Sequence, residues 1–313
     1  MSGSALVTLT GTIDLRGGRG TQFEDPTHGR GGDLRVQGGS FVFDAPAAEL
    51  NVTGGDDGAG AGGKVRLTGG LLTLNGGIIR GTTLSASADP IDLLGADLNV
   101  AGGDLIATDA MTISRGGNLN LSSGSVDVTT LRLRTNGNLS FTGGTFSVDT
   151  FEGDLAQDGG TLAAGDSPGI TNIVGGYDLN AGTLEVEIAG LVQGTEHDFY
   201  DVTGDVNLAG GALDVRVIDP FAFVLDQTFD ILSVGGALSG TFAGLAEGAV
   251  VDTFPGGEVL ITYAAGDGND IALLTVPEPA SLTVAGSGAL TLLSRRRRGR
   301  ARCRSVARRR GPV

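Results

Sequence analysis

The sequence predicts an all-β protein: a parallel β-helix or β-solenoid over residues 1–160, a β-rich end module over residues 161–276, and a short C-terminal apolar segment. Three observations predict it. A short phrase recurs in which a glycine pair and an acidic or polar residue lead into alternating apolar residues. No window up to Asp270 keeps apolar residues at the i, i+3, i+4, i+7 spacing of a helix. The composition is also lopsided, with 56 glycines in 313 residues and no tryptophan, yet no Gly-X-Y period that would indicate collagen.

The phrase reads "GGDLRVQGGSFVF" at 31–43, "GGKVRLTGGLLTLNGG" at 62–77, "GADLNVAGGDLIA" at 95–107 and "GGNLNLSSGSVDV" at 116–128. It returns as "NGNLSFTGGTFSV" at 136–148 and "TGDVNLAGGALDVRV" at 203–217. Leu34, Val36, Phe41 and Phe43 show the two-residue alternation of short strands. The Gly-Gly, Asn-Gly and Thr-Gly pairs supply the positive φ that tight turns need. Landmarks such as Leu98, Leu119 and Leu139 recur about 20 residues apart, near the length of one solenoid coil. A single coil cannot bury its apolar face and must stack on the next. Asn51, Asn75, Asn99, Asn118, Asn120, Asn138 and Asn180 lie in or beside these strands, either as stacked internal ladders or as turn residues. The spacing then departs from 20, with 16 residues from Leu139 to Leu155 and 24 from Leu155 to Leu179. Paired strands joined by glycines also fit a sandwich of hairpins.

Pro168, within "GGTLAAGDSPGITNIVGGYDL" at 159–179, breaks the pattern. Richer strands follow: "GTLEVEIAG" at 182–190, "ALDVRVI" at 212–218, "TFDILSV" at 228–234, "GEVLITYAA" at 257–265 and "DIALLTV" at 270–276. This end module is expected to cap the repetitive part, because an uncapped stack exposes a sheet edge to other chains.

Charge divides the chain. Residues 1–276 hold 35 acidic against 11 basic residues, whereas residues 277–313 hold ten arginines and one glutamate. The acidic body has the wrong sign for phosphate and argues against nucleic-acid binding. Cys303, the only cysteine, leaves no intrachain disulfide or cysteine-based zinc site.

The last part begins "VPEPASLTVAGSGALTLLSRRRRGR" at 276–300. Residues 280–293 form an apolar run of 14, short of the roughly 20 that a spanning helix needs. Four arginines follow, suited to the cytoplasmic face of a membrane. Pro277, Glu278 and Pro279, the apolar segment, and Arg295, Arg296, Arg297 and Arg298 together resemble the PEP-CTERM sorting signal of bacterial exported proteins. The resemblance implies that residues 277–298 direct the chain to the envelope and are removed by an exosortase-type processing protease, with transient membrane contact. Residues 299–313 are then a basic disordered tail, longer than the family's usual ending. "GGTLAAGDSPGITNIVGGYDLNAGTLEVEIAG", "DFYDVTGDVNLAGGALDVRV" and "GDGNDIALLTV" resemble autotransporter-like passenger-associated β-repeats, which implies a parallel β-helical exported protein. "MSGSALVTLTGTIDLRGG" has neither a basic n-region nor an apolar core. A C-terminal envelope signal without a leader predicts a late start site or a longer parent chain.

Other chemistries have weaker support. Asp56 and Asp57, or Asp267 and Asp270, offer hard oxygen ligands for calcium, but their loops do not repeat at nine-residue spacing. No cofactor is therefore expected, and calcium is the one candidate ion. Asp14, Asp33, Asp44, Asp97, Asp104, Asp149 and Asp154 are candidate acids for a polysaccharide-degrading β-helix, yet nothing singles out a pair, and the scarce aromatics provide no sugar-stacking row. His28 lies in a loop. His197 sits beside Glu196, Asp198 and Asp201 without a "GxSxG" elbow, where Phe199, Tyr200 and Val202 read as the start of a strand.

The expected protein is a non-enzymatic structural component of a bacterial envelope or matrix, exported and delivered by its C-terminal cassette. The alternatives are a polysaccharide- or calcium-dependent matrix-binding module and a polysaccharide-degrading enzyme.

Overall fold

Alternation carries the fold. In the computed structural model, residues 97–278 are described in full apart from the Thr108 side chain and residues 166–167. Before residue 97 the described residues are the backbones of nine short strands. These are β1 (Leu6–Leu9), β2 (Ile13–Asp14), β3 (Leu34–Gln37), β4 (Ser40–Phe43), β5 (Glu49–Asn51), β6 (Val65–Thr68), β7 (Leu71–Leu74), β8 (Ile78–Gly81) and β9 (Ile91–Leu94). Long, bent strands follow: β10 (Asp97–Ser114), β11 (Asn118–Leu133), β12 (Asn138–Glu152), β13 (Leu155–Ala164), β14 (Ile170–Val174) and β15 (Tyr177–Ile188). The remainder are β16 (Phe199–Val202), β17 (Val206–Leu208), β18 (Ala212–Val217), β19 (Thr228–Val234), β20 (Leu238–Gly240), β21 (Val250–Phe254), β22 (Gly257–Ala265) and β23 (Asp270–Pro277). The protein is all-β, with no helix among the described residues.

The strands flanking each glycine pair do not pair with each other. Each pairs in parallel with the corresponding segment of the next repeat, which produces three columns. The first runs β1, β4, β7, then residues 97–100, 118–121 and 138–141, and continues through β13, β15, β17 and β20. The second runs β2, β5, β8, then residues 104–107, 125–128, 145–148, 161–164 and 183–188, ending at β18. The third runs β3, β6, β9, then residues 111–114, 130–133 and 150–152, ending with β14, β16 and β19. Antiparallel pairing enters at the C-terminal end, where β23 lies on β19 and β21 on β22, so the sheet is mixed. Pairing is continuous across residue 160, which lies within β13. Internal contacts divide the chain into Met1–Val276 and Pro277–Val313.

The landmark leucines set the register: Leu98 faces Leu119, and Leu119 faces Leu139. Their inward neighbours Val100, Leu121 and Phe141 are aligned in the same way and fully buried. The next residue in that row is polar. Gln157 faces Phe141 and is fully buried. Its Nε2 donates to the carbonyls of Gly160 at 3.0 Å and Thr183 at 3.1 Å, and its Oε1 accepts from the Tyr177 hydroxyl at 2.7 Å. Three bonds offset the desolvation of the amide. Burial pushes the Tyr177 phenol well above its usual range, leaving it neutral as the donor.

Of the asparagines singled out in the sequence, Asn99, Asn118, Asn120, Asn138 and Asn180 lie within strands, the first three half-buried and the last two exposed. Asn75 and the Asn51 side chain lie outside the described residues. Asn120 donates to Asn99 at 2.7 Å, Asn118 to Asp97 at 2.6 Å and Asn180 to Asp158 at 3.0 Å. The turn residue is Asn136, with φ 58°. The glycine pairs mark the corner between the first and second columns. Gly124, Gly144, Gly160 and Gly182 stack there with φ of 81°, 74°, 71° and 92°. Each lies against the backbone of the glycine one repeat earlier, leaving no space for a side chain.

The corner between the second and third columns lengthens along the chain. One residue separates 128 from 130, and one separates 148 from 150, at this corner. Five then separate β13 from β14, and ten separate β15 from β16 and β18 from β19. This growth lengthens the later repeats and builds the loops that support the C-terminal strand. The 16-residue step from Leu139 to Leu155 comes instead from a shorter link between the third and first columns, two residues between β12 and β13 against four between β11 and β12.

Candidate functional site

The loop of residues 189–198 is tied to the body by its acids. Glu196 accepts the backbone N–H groups of Leu191 and Val192, each at 2.9 Å. Asp198, 1% exposed, accepts from Gly169 N at 2.8 Å and Glu187 N at 2.7 Å, joining this loop to the preceding corner. His197 is buried beside Phe229, with Nδ1 3.3 Å from Gly190 O and Nε2 3.2 Å from Asp230 O. A neutral imidazole donates to only one of these carbonyls. Burial lowers its pKa and favours that neutral form. His197 and Asp198 therefore join loops; their polar atoms face backbone rather than each other.

Burial raises the Asp198 carboxyl to about 6, against the pull of its two N–H donors. Between about pH 4 and 6 the native state holds a proton at this site that the unfolded chain has released. Its contribution to stability accordingly rises as pH falls through that window. Asp198→Asn is expected to cost about 1–3 kcal/mol at pH 7, because the amide NH2 must face one of the two N–H donors. The variant also loses Asp198's share of the pH slope, so its deficit against wild type widens from pH 7 to pH 4. Urea midpoints of both proteins across this range check the prediction.

The following loop, residues 218–227, holds the end of the body. Gln227 N donates to Thr275 Oγ1 at 2.7 Å and Thr275 N donates to Gln227 O at 3.0 Å. Asp226, at φ 62°, donates its N–H to Thr275 O at 3.2 Å. The Gln227 side chain accepts from Val224 N at 2.9 Å and fixes the loop itself. Ile271, Ala272 and Leu273 are fully buried and Thr275 is 3% exposed, whereas Pro277 and Glu278 are exposed. The chain changes from pinned to accessible within two residues. Gly257 lies against this exit, where an added Cβ would meet the Phe254 ring and stand 2.7 Å from Val276 O.

An exposed Pro-Glu where the closing strand ends is the first part of the cassette read from the sequence. Residues 275–298 match the PEP-CTERM protein-sorting motif. This motif marks an exported protein handled by an exosortase at the membrane, with transient membrane association through the C-terminus. No curated protein matches the chain. Of the sorting residues, Pro277 ends β23 and Glu278 follows it, while Pro279, Arg295, Arg296, Arg297 and Arg298 lie outside the described residues. The apolar run 280–293 also lies outside them, and no helix among the described residues is long and apolar enough to cross a membrane.

The other candidate residues are dispersed. Asp97 and Asp104 accept bonds from Asn118 and Ser125 in the next repeat, and Asp154 accepts from Gly176 N at 2.8 Å. Asp270 accepts from Val234 N at 2.8 Å, and Asp267 is exposed. Among the described residues no three His, Cys, Asp or Glu side chains converge where they would hold a metal ion. His28 and the side chains of Asp14, Asp33, Asp44, Asp56 and Asp57 lie outside the described residues. Thr275, Gln227 and Asp226 carry no local signal beyond a β-branched run stopping at a proline.

Proposed function

We propose that this protein is a non-catalytic structural component of a bacterial envelope or extracellular matrix, whose body is a parallel β-solenoid closed by a β-rich end module. The three columns of parallel pairing and the glycine-lined corner support the solenoid reading. The single observation that carries the structural role is the use of the outward polar side chains. Asn120 with Asn99, Asn118 with Asp97, Ser125 with Asp104, Asn180 with Asp158 and Ser239 with Asn207 all join one repeat to the next. Groups that an enzyme would direct at a substrate here hold the stack together. In this reading the acidic surface is presented outside the cell, and no metal or cofactor takes part.

Mass spectrometry of cytoplasmic, envelope and medium fractions tests the proposal. The body is expected outside the cytoplasm without its arginine-rich end, and Glu278→Ala is expected to leave the intact chain associated with membrane. A full 313-residue chain in the cytoplasmic fraction, unaffected by Glu278→Ala, would count against it. Release of sugar from matrix polysaccharide by the purified body would replace the structural reading with an enzymatic one.

A further inference from the structure

Matching of the sorting motif begins at residue 275, which is also the last buried residue of the body. Motif and fold therefore overlap, with no spacer between them. A strand advances about 3.3 Å per residue, so Pro277 stands only about 7 Å along the chain from the pinned Thr275. Residues immediately before Pro277 are committed to the fold. Leu273 and Leu274 pair with Phe229 and Thr228, and both the backbone and hydroxyl of Thr275 bond to residues 226–227. A protease that takes its substrate as an extended peptide needs backbone N–H and C=O groups to pair with. At Thr275, two residues before Pro277, the body already occupies both groups.

We propose that Gln227, acting through Thr275, is a positioning residue for sorting: this clamp sets how much extended chain the exosortase can draw in around Pro277 and Glu278. The proposal rests on the sorting reading above. Processing then draws on local opening of the last residues of β23, and its rate follows the opening equilibrium of that strand end. Folding and sorting become linked, because the clamp withholds the chain until its end frays while the rest of the body stays closed.

The test compares the full chain, co-expressed with its exosortase, with three variants, following conversion to the shortened product in a pulse-chase. Inserting Gly-Ser-Gly-Ser between Val276 and Pro277 leaves every clamp residue in place and supplies slack. Thr275→Val removes the hydroxyl that accepts from Gln227 N. Both are expected to speed conversion, the second by about five- to tenfold, the change in opening that loss of one hydrogen bond produces. The spacer variant is expected to keep the wild-type urea midpoint, so its faster conversion cannot arise from a weakened body. Unchanged or slower conversion of the spacer variant would overturn the proposal even if Thr275→Val were faster, since a generally destabilised body would explain the latter. Glu278→Ala separates the two levels of inference. If it converts like wild type, the sorting reading itself fails; if it stops conversion while the spacer has no effect, only the clamp fails.

Discussion

Replacing Phe146 with alanine is expected to lower the unfolding free energy by about 3–5 kcal/mol, the cost of removing a buried aromatic ring and leaving a cavity. Phe146 is fully buried in β12 and is the middle ring of three. Its edge-to-face partners are Phe141 at 5.7 Å and Phe151 at 6.1 Å, one from each of the other two columns. The substitution therefore removes the ring that joins the first and third columns at one level of the core. Val126 and Leu162, its aligned neighbours, are also fully buried and cannot enter the space without leaving their own positions. A urea midpoint lowered in proportion, with little change in slope, is the expected measurement. A loss below about 1 kcal/mol would show that the core collapses around the gap.

Gly160→Ala is expected to have the next largest effect. At φ 71° an L-residue is strained by about 1–3 kcal/mol. The new Cβ would also stand 2.6 Å from both Gly144 O and Phe141 Cε2, inside van der Waals contact. Gly116→Ala separates these effects. Gly116 has φ 80° but nothing within 4 Å of an added Cβ, so it reports backbone strain alone. Gly160→Ala should cost more than Gly116→Ala, and the difference measures how closely successive repeats approach at the corner. Equal midpoints would mean that the corner relaxes and the stacked glycines serve only the turn.

These two positions also show how much the sequence revealed. Phe146 lies in "TFSV", whose alternation marks it as inward-facing, and Gly160 belongs to the recurring glycine pair. Neither required knowledge of a distant partner. The direction of pairing did, since two strands joined by glycines fit a hairpin as well as a parallel stack. Only the parallel register of Leu98, Leu119 and Leu139 across three successive repeats distinguishes the two. The asparagines were ambiguous for the same reason: Asn120 finds Asn99 at a separation of 21 residues.

By itself the sequence determined the all-β class, the glycine corners and the sorting cassette, because each depends on chemistry within a few adjacent residues. Alternation decides which side chains face inward, positive φ decides where glycine must stand, and a motif read by a processing enzyme must be legible as a linear peptide. Only the tertiary structure decided what His197, Asp198, Gln227 and Thr275 do. Gln227 and Thr275 meet across 48 residues, and Asp198 joins Gly169 to Glu187 at separations of 29 and 11. Such contacts depend on how the lengthening corner loops fold back on the stack. Burial then shifts the titration of Asp198 and turns an ordinary threonine into the last fixed point before Pro277.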